Sequence, residues 1–230
     1  MNNYGTKLLI AMRLCSIVLL TLFVAASAGA QTSGAASVTP PPVPTDIQVE
    51  PGNEAFLVGH ATGTQNYVCL PCDPTKQGCP SVGVTYALFT PQATLFDDRG
   101  GQLTTHFFSP NPFEIDNDPK VVSNGLIRAT WQHSKDTSVV WAKLAGSATV
   151  TPDSIAWLLL NAKDTGVQAG PTGGDKLTKT TFIQRLNTRG GLAPSTGCSS
   201  SADIGNKAYV PYTADYFFYK AAGGKERNDY

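Results

Sequence analysis

The apolar residues of this chain come in short runs that turn-forming residues interrupt about every ten positions, a rhythm that suits strands and argues against long helices. Ala55-Phe56-Leu57-Val58 is followed by Gly59 and Gly63, and Gln65 to Cys69 comes next. Val82, Val84, Tyr86 and Leu88 alternate with less apolar residues, as a half-buried strand requires. Thr94-Leu95-Phe96 and Leu103 to Phe108 flank Asp97-Asp98-Arg99-Gly100-Gly101, where acidic residues and a double glycine supply a hairpin turn. Val121-Val122 and Leu126 to Trp131 flank a second turn at Asn124-Gly125, and Val139, Trp141 and Lys143 continue the alternation. Phe182 to Asn187 and Tyr212 to Tyr219 close the series, and the aromatic rings of the latter make it the strongest strand signal. Pro211 belongs at the start or on an edge of that strand, because it cannot donate to a ladder.

One segment leaves helix and strand open. Thr151-Pro152-Asp153-Ser154 has the residues of a helix start, with Ile155 to Ala162 apolar behind it and Gly166 able to close it. Ala156-Trp157-Leu158-Leu159-Leu160 equally suits a strand buried on both faces. The reading taken is a short turn at Thr151 to Ser154 leading into a strand. Charged residues are sparse while Gly, Ser, Thr and Pro abound, and no solenoid or propeller repeat is visible. The expected fold is all-β: a single antiparallel β-sandwich or barrel-like domain with short helical turns.

Residues 1–30 are expected to be a signal peptide. Lys7 and Arg13 form a basic start, Leu14 to Val24 is almost wholly apolar, and Ala28-Gly29-Ala30 offers small residues for cleavage before Gln31. That apolar run is short for crossing about 30 Å of hydrocarbon. Residues 31–45 read as a Pro/Ser/Thr-rich linker, 46–220 as the β domain and 221–230 as a flexible tail. The expected localisation is secreted or periplasmic, with no membrane span in the mature protein. Losing residues 1–30, which carry two basic residues and no acidic one, takes the formal charge from 0 to −2. Such a domain has no field with which to hold a polyanion, so nucleic acid is not an expected partner.

Cys15 leaves with the leader, and Cys69, Cys72, Cys79 and Cys198 remain for two disulfides in an oxidising compartment. Four cysteines allow three pairings. The Asp-Pro-Gly loop between Cys72 and Cys79 can bend back on itself, which leaves Cys69, at a strand's end, to reach Cys198. The expected bonds are Cys69–Cys198 and Cys72–Cys79. Cys69 and Cys72 also form a C-x-x-C, but no second such pair and no histidine at zinc spacing accompany it.

Several stretches together resemble a known family. They are Gly59-His60-Ala61-Thr62-Gly63-Thr64-Gln65-Asn66-Tyr67-Val68-Cys69, Ala93-Thr94-Leu95-Phe96-Asp97, Ala156 to Leu160, Thr181 to Pro194 (TFIQRLNTRGGLAP) and Val210-Pro211-Tyr212 to Tyr219. Their order and spacing are similar to the domain-of-unknown-function family 3455 of exported bacterial and fungal proteins, over nearly all of Asp46 to Lys220. The chain departs from the family pattern at Asn111-Pro112-Phe113 and Asp118-Pro119-Lys120, and carries extra residues around Leu70 to Ser81 and Trp131 to Ala142. The resemblance implies no established activity. Some fungal members are labelled malate dehydrogenase, a label this sequence does not support. No two glycines stand in G-x-G spacing to cradle a pyrophosphate, and no strand–helix alternation builds a parallel sheet. Gly170-Pro171-Thr172-Gly173-Gly174-Asp175-Lys176 is a loop and not a phosphate cradle, since its lysine follows no glycine and precedes no Ser or Thr. An NAD-dependent dehydrogenase is therefore excluded, and no cofactor is expected.

Chemistry-bearing constellations are thin. His60, His106 and His133 lack a metal-site spacing, and no metal is expected from them. Glu114, Asp116 and Asp118 alternate as calcium ligands can, but without the glycine and distal glutamate of a calcium hand they read better as a solvated turn. No G-x-S-x-G elbow is present, and every mature cysteine is spoken for. Tyr67, Trp131, Trp141 and Tyr209 are candidate platforms for stacking on sugar rings.

The ligand-binding expectation centres on Arg185 and Asn187, which share one face of a strand that ends at Gly190-Gly191, while Phe182, Gln184 and Leu186 share the other. Arg185 offers a fork of donors for a carboxylate or sugar hydroxyls. His60, Gln65 and His106 interrupt apolar strand patterns and are the expected neighbours. The plainer alternative pairs Arg185 with an acid and uses Asn187 as a turn cap. The expected function is a non-enzymatic extracellular or envelope-associated binding module for a carbohydrate or small ligand. The runner-up is a secreted or periplasmic enzyme of unknown reaction.

Overall fold

Tyr212, Ala214, Tyr216 and Phe218 alternate with Thr213, Asp215, Phe217 and Tyr219 along the last strand, and that alternation sorts the protein into an inside and an outside. The computed structural model describes residues 38–75, 79–109, 128–163 and 165–223. Among them are nine strands: β1 (Asn53–Pro71), β2 (Val84–Phe96), β3 (Gln102–Ser109), β4 (Arg128–His133), β5 (Val139–Ala148), β6 (Trp157–Asn161), β7 (Val167–Gln168), β8 (Phe182–Gly190) and β9 (Lys207–Ala221). Two single 3-10 turns, Thr45–Ile47 and Ser201–Asp203, complete the described regular structure. The leader, the start of the linker, the Asn124-Gly125 turn, Glu114, Asp116, Asp118 and the tail beyond Gly223 lie outside the described residues. Among the described residues no helix is long and apolar enough to cross a membrane.

Every pairing is antiparallel, and the sheet closes on itself. β1 to β6, then β8 and β9, each pair with the next, and β9 returns to β1 along a seam from Asn53–Ala221 to Val68–Lys207. β7 is a short ribbon on β5 beside this ring. The all-β expectation holds, and of the two architectures it allowed the chain takes the barrel. Closure leaves no long unpaired edge, and bulges at Ala55/Leu57, Asn66/Tyr67, Leu144/Gly146 and Leu186/Arg189 supply the bends that closure needs.

The local expectations mostly follow through. Asp97 Oδ1 accepts the backbone N–H groups of Arg99 at 3.0 Å and Gly101 at 2.7 Å, while Gly100 takes φ 80°, so the predicted hairpin forms between β2 and β3. Thr151 to Ser154 is a turn, and the apolar run behind it is β6. Pro211 lies inside β9 instead of at its start. Its carbonyl accepts from Gly191 N, so its missing N–H faces the side on which β8 has already ended at Gly190.

Two apolar clusters hold the barrel. Ala61, Leu95, Trp131, Val140, Leu160, Ile183 and Phe218 pack inside it. Leu159, Phe182, Leu186, Phe217 and Tyr219 pack outside it, under a strap formed by residues 38–49. Val38, Val43, Ile47 and Val49 give the strap enough apolar surface to dock, although its prolines and small residues read as tether. Gln184 Nε2 donates to the Ile47 carbonyl at 2.6 Å, and the strap crosses so close to β5 that a Cβ on Gly146 would lie 2.1 Å from Asp46 O. β8 is consequently buried on both faces, which is why its sequence shows no clean alternation. The disulfides join Cys69 to Cys198 and Cys72 to Cys79, as the loop lengths suggested.

Candidate functional site

One end of the barrel is solid and the other is not. Leu95, Val140, Ile183 and Phe218 are fully buried and fill part of the interior. Above them His106 from β3 and Trp131 from β4 sit directly opposite in register, and Tyr216 from β9 packs against both rings at 5.2 and 5.6 Å. Beside these rings lies a cavity of about 310 Å³, lined by Ala142, Leu158 and Leu160 and bordered by the exposed Leu88 and Leu144. An eight-stranded ring is about wide enough to be filled by side chains or to hold one small ligand, and this one does the first at one end and has room for the second at the other.

Arg185 of β8 points into this half of the barrel. Its Nε and Nη2 donate to the Ala156 carbonyl at 3.2 and 2.8 Å. The residue is only 8% exposed, and no carboxylate pairs with it among the described residues. The expected acid partner of the plainer reading is thus not found there. Burial pushes the hydroxyls of Tyr67, Tyr212 and Tyr216 up, against the counteracting charge of Arg185, and Tyr212 and Tyr216 share a hydrogen bond of 3.1 Å. His106 donates from Nδ1 to the Thr130 carbonyl at 2.9 Å, and burial, helped by Arg185, holds its pKa down at about 3. The imidazole is therefore neutral and keeps a lone pair on Nε2. Gln65 Oε1 and Trp131 Nε1, both on residues that line the cavity, are buried without a hydrogen-bond partner among the described residues.

Of the five residues expected to meet at a ligand, the barrel brings Gln65, His106 and Arg185 to one cavity and turns His60 and Asn187 outward. Asn187 leaves the face of Arg185 because it takes φ 52° at the bulge between Leu186 and Arg189. On the outer surface its Nδ2 donates to Asp215 Oδ2 at 2.8 Å. His60 lies there too, between Asp215 Oδ1 at 2.7 Å and Asp98 Oδ1 at 2.9 Å, and the hydrogen bonds to Asp98 and Asp215 raise its pKa. The third histidine, His133, takes neither role: its Nδ1 accepts from the backbone of Lys135 and Asp136 and closes a turn. No cluster of three metal-ligating side chains occurs among the described residues.

The aromatic platforms are redistributed. Trp131 is fully buried and Tyr67 nearly so, its hydroxyl donating to the Gly191 carbonyl at 2.5 Å, whereas Tyr209 is exposed. Sequence reasoning singled out Trp131 as a stacking platform but not as a buried cavity residue, and missed Tyr216. Tyr216 was within reach, since it shares the inward parity of Tyr212 and Phe218.

No match was found among curated proteins or among solved structures. A family model described as Protein of unknown function (DUF3455) matches residues 50–220, and the chain belongs to that family.

Proposed function

We propose that this protein is a binding module that holds one small molecule inside its barrel, in an oxidising compartment outside the cytoplasm. The cavity beside Gln65, His106 and Arg185 carries the reading: it is a preformed hollow in an otherwise packed core, with polar groups left unsatisfied in its lining. Two disulfides support the compartment, because such bonds persist where thiols are oxidised. Export through a cleaved leader over residues 1–30 belongs to the same reading. Between the expected ligand classes, the walls favour a molecule with an apolar body over a carbohydrate, whose many hydroxyls would meet Leu88, Leu158 and Leu160.

A fragment screen read by amide and indole chemical shifts tests this directly. Binders should perturb the Trp131 indole resonance, and Ala142→Phe, which fills the hollow, should abolish their effect. A screen in which no compound moves Trp131, or in which the filled variant binds as before, overturns the proposal.

A further inference from the structure

We propose that the molecule taken by this cavity is an organic anion, a carboxylate on a compact apolar body, whose acid group meets the Arg185 guanidinium. The inference rests on the interior of the barrel being a binding site and adds the charge of its occupant. A buried cation is ordinarily compensated by an acid. Arg185 is instead held by neutral groups, the Ala156 carbonyl through two of its five N–H groups and the Tyr216 hydroxyl. No carboxylate pairs with it among the described residues.

Its other neighbours supply no negative charge. Tyr67, Tyr212 and Tyr216 all feel the guanidinium, and all three remain phenols, as does the neutral imidazole of His106 beside them. Among the described residues, every charged side chain that lines the cavity is a cation: Arg185, with Arg128 and Lys143, which also engage other groups. No Asp or Glu among the described residues lines it. Among the described residues, an anion entering this hollow therefore meets a pre-positioned fork of donors and no opposing acid, whereas a cation meets positive charge.

The remaining lining fits the rest of such a molecule. Among the described residues Trp131 Nε1 is a donor without an acceptor, and the Gln65 amide, whose oxygen has no donor there, can present either end to a second polar group. Leu88, Ala142, Leu158 and Leu160 then enclose the body. At about 310 Å³ the hollow is at the small end of ligand pockets, which run from about 300 to 1,000 Å³, so the body is a single ring or a short chain.

The test is calorimetric titration of the full-length exported protein with matched pairs: benzoate against benzamide, and hexanoate against hexanamide. Each acid should bind about tenfold more tightly than its amide, the difference one charge-assisted hydrogen bond makes. Arg185→Met should bring acid and amide to equal affinity. Because the ratio is read first on the native protein, it decides even where Arg185→Met fails to fold. Equal affinities for acid and amide overturn the anion and leave the interior site standing. So does a protein that binds neither pair while other fragments still move Trp131.

Discussion

His106 lies flat against Trp131, with ring planes 5° apart and centroids 4.1 Å apart, while its Nδ1 proton is committed to the Thr130 carbonyl. The two rings come from opposed positions on β3 and β4, so a cross-strand pair inside the barrel has become the boundary between packed core and cavity. A ring held this way stays uncharged, and that has a consequence for acid stability.

Free histidine titrates near pH 6.5, whereas burial holds His106 at about 3. As pH falls below the unfolded value the unfolded chain binds a proton that the barrel refuses. Stability present above about pH 6.5 should therefore drain away by about 1.4 kcal/mol per pH unit on the way down. His133, also depressed chiefly by burial, acts in the same direction. Urea melts between about pH 6 and 4 should show a slope about one proton shallower in His106→Phe. An unchanged slope would mean that His106 does not stay neutral in the fold.

His60 should do the opposite. Its pKa is raised by Asp98 and Asp215, so the stability it adds is complete below about pH 6.5 and is lost as pH rises through the folded value. With 47% of its side chain exposed, solvent screening limits the effect to less than about 1 kcal/mol. His60→Gln should thus melt below the native protein at pH 5.5 and with it at pH 9. A deficit that grows with pH has the wrong sign for this arrangement.

Gly146→Ala should weaken the strap. The new methyl would meet the Asp46 carbonyl, which belongs to backbone and cannot swing aside. A loss of about 1–3 kcal/mol is expected, as for other overpacked sites. Limited proteolysis should then cut within residues 38–49 while leaving the barrel whole. A variant as stable and as resistant as the native protein would show that the strap contributes nothing there.

The two disulfides should differ in worth. Cys69–Cys198 spans 129 positions and Cys72–Cys79 spans 7, so the first removes far more freedom from the unfolded chain. Cys69→Ala/Cys198→Ala should cost about 4 kcal/mol and Cys72→Ala/Cys79→Ala about half of that. Chemical denaturation of each double variant reads the order, and a reversed order contradicts the loop-length argument.

Strand character was legible where one face meets water, as along Tyr212 to Asp215, and where aromatic residues with strong strand preference fill both faces, as along Tyr216 to Tyr219. It was blurred in Phe182 to Leu186, because the strap covers the second face and apolar residues fill both. Of the site, Arg185 stood out as a polar interruption in an apolar run. The separation of His60 from Gln65 could have been read from spacing alone, since five positions along one strand place them on opposite faces. The departure of Asn187 was only half legible, since asparagine tolerates a left-handed backbone but nothing in Leu186-Asn187-Thr188 fixes the bulge there. Closure was not legible, because it depends on β1 meeting β9 across the whole chain.

That seam has a kinetic meaning. β1 finds one neighbour in the hairpin that follows it but must wait for the other until residues 207–221 exist. The strap is likewise idle until β8 and β9 are in place to receive it. A chain emerging from its amino end can form the meander from β1 to β6 early, yet the cylinder shuts only when the last strand arrives. Contacts of such long separation are slow to form. A polypeptide built this way stays open and threadable until residues 207–221 are available, and only then becomes a closed ring.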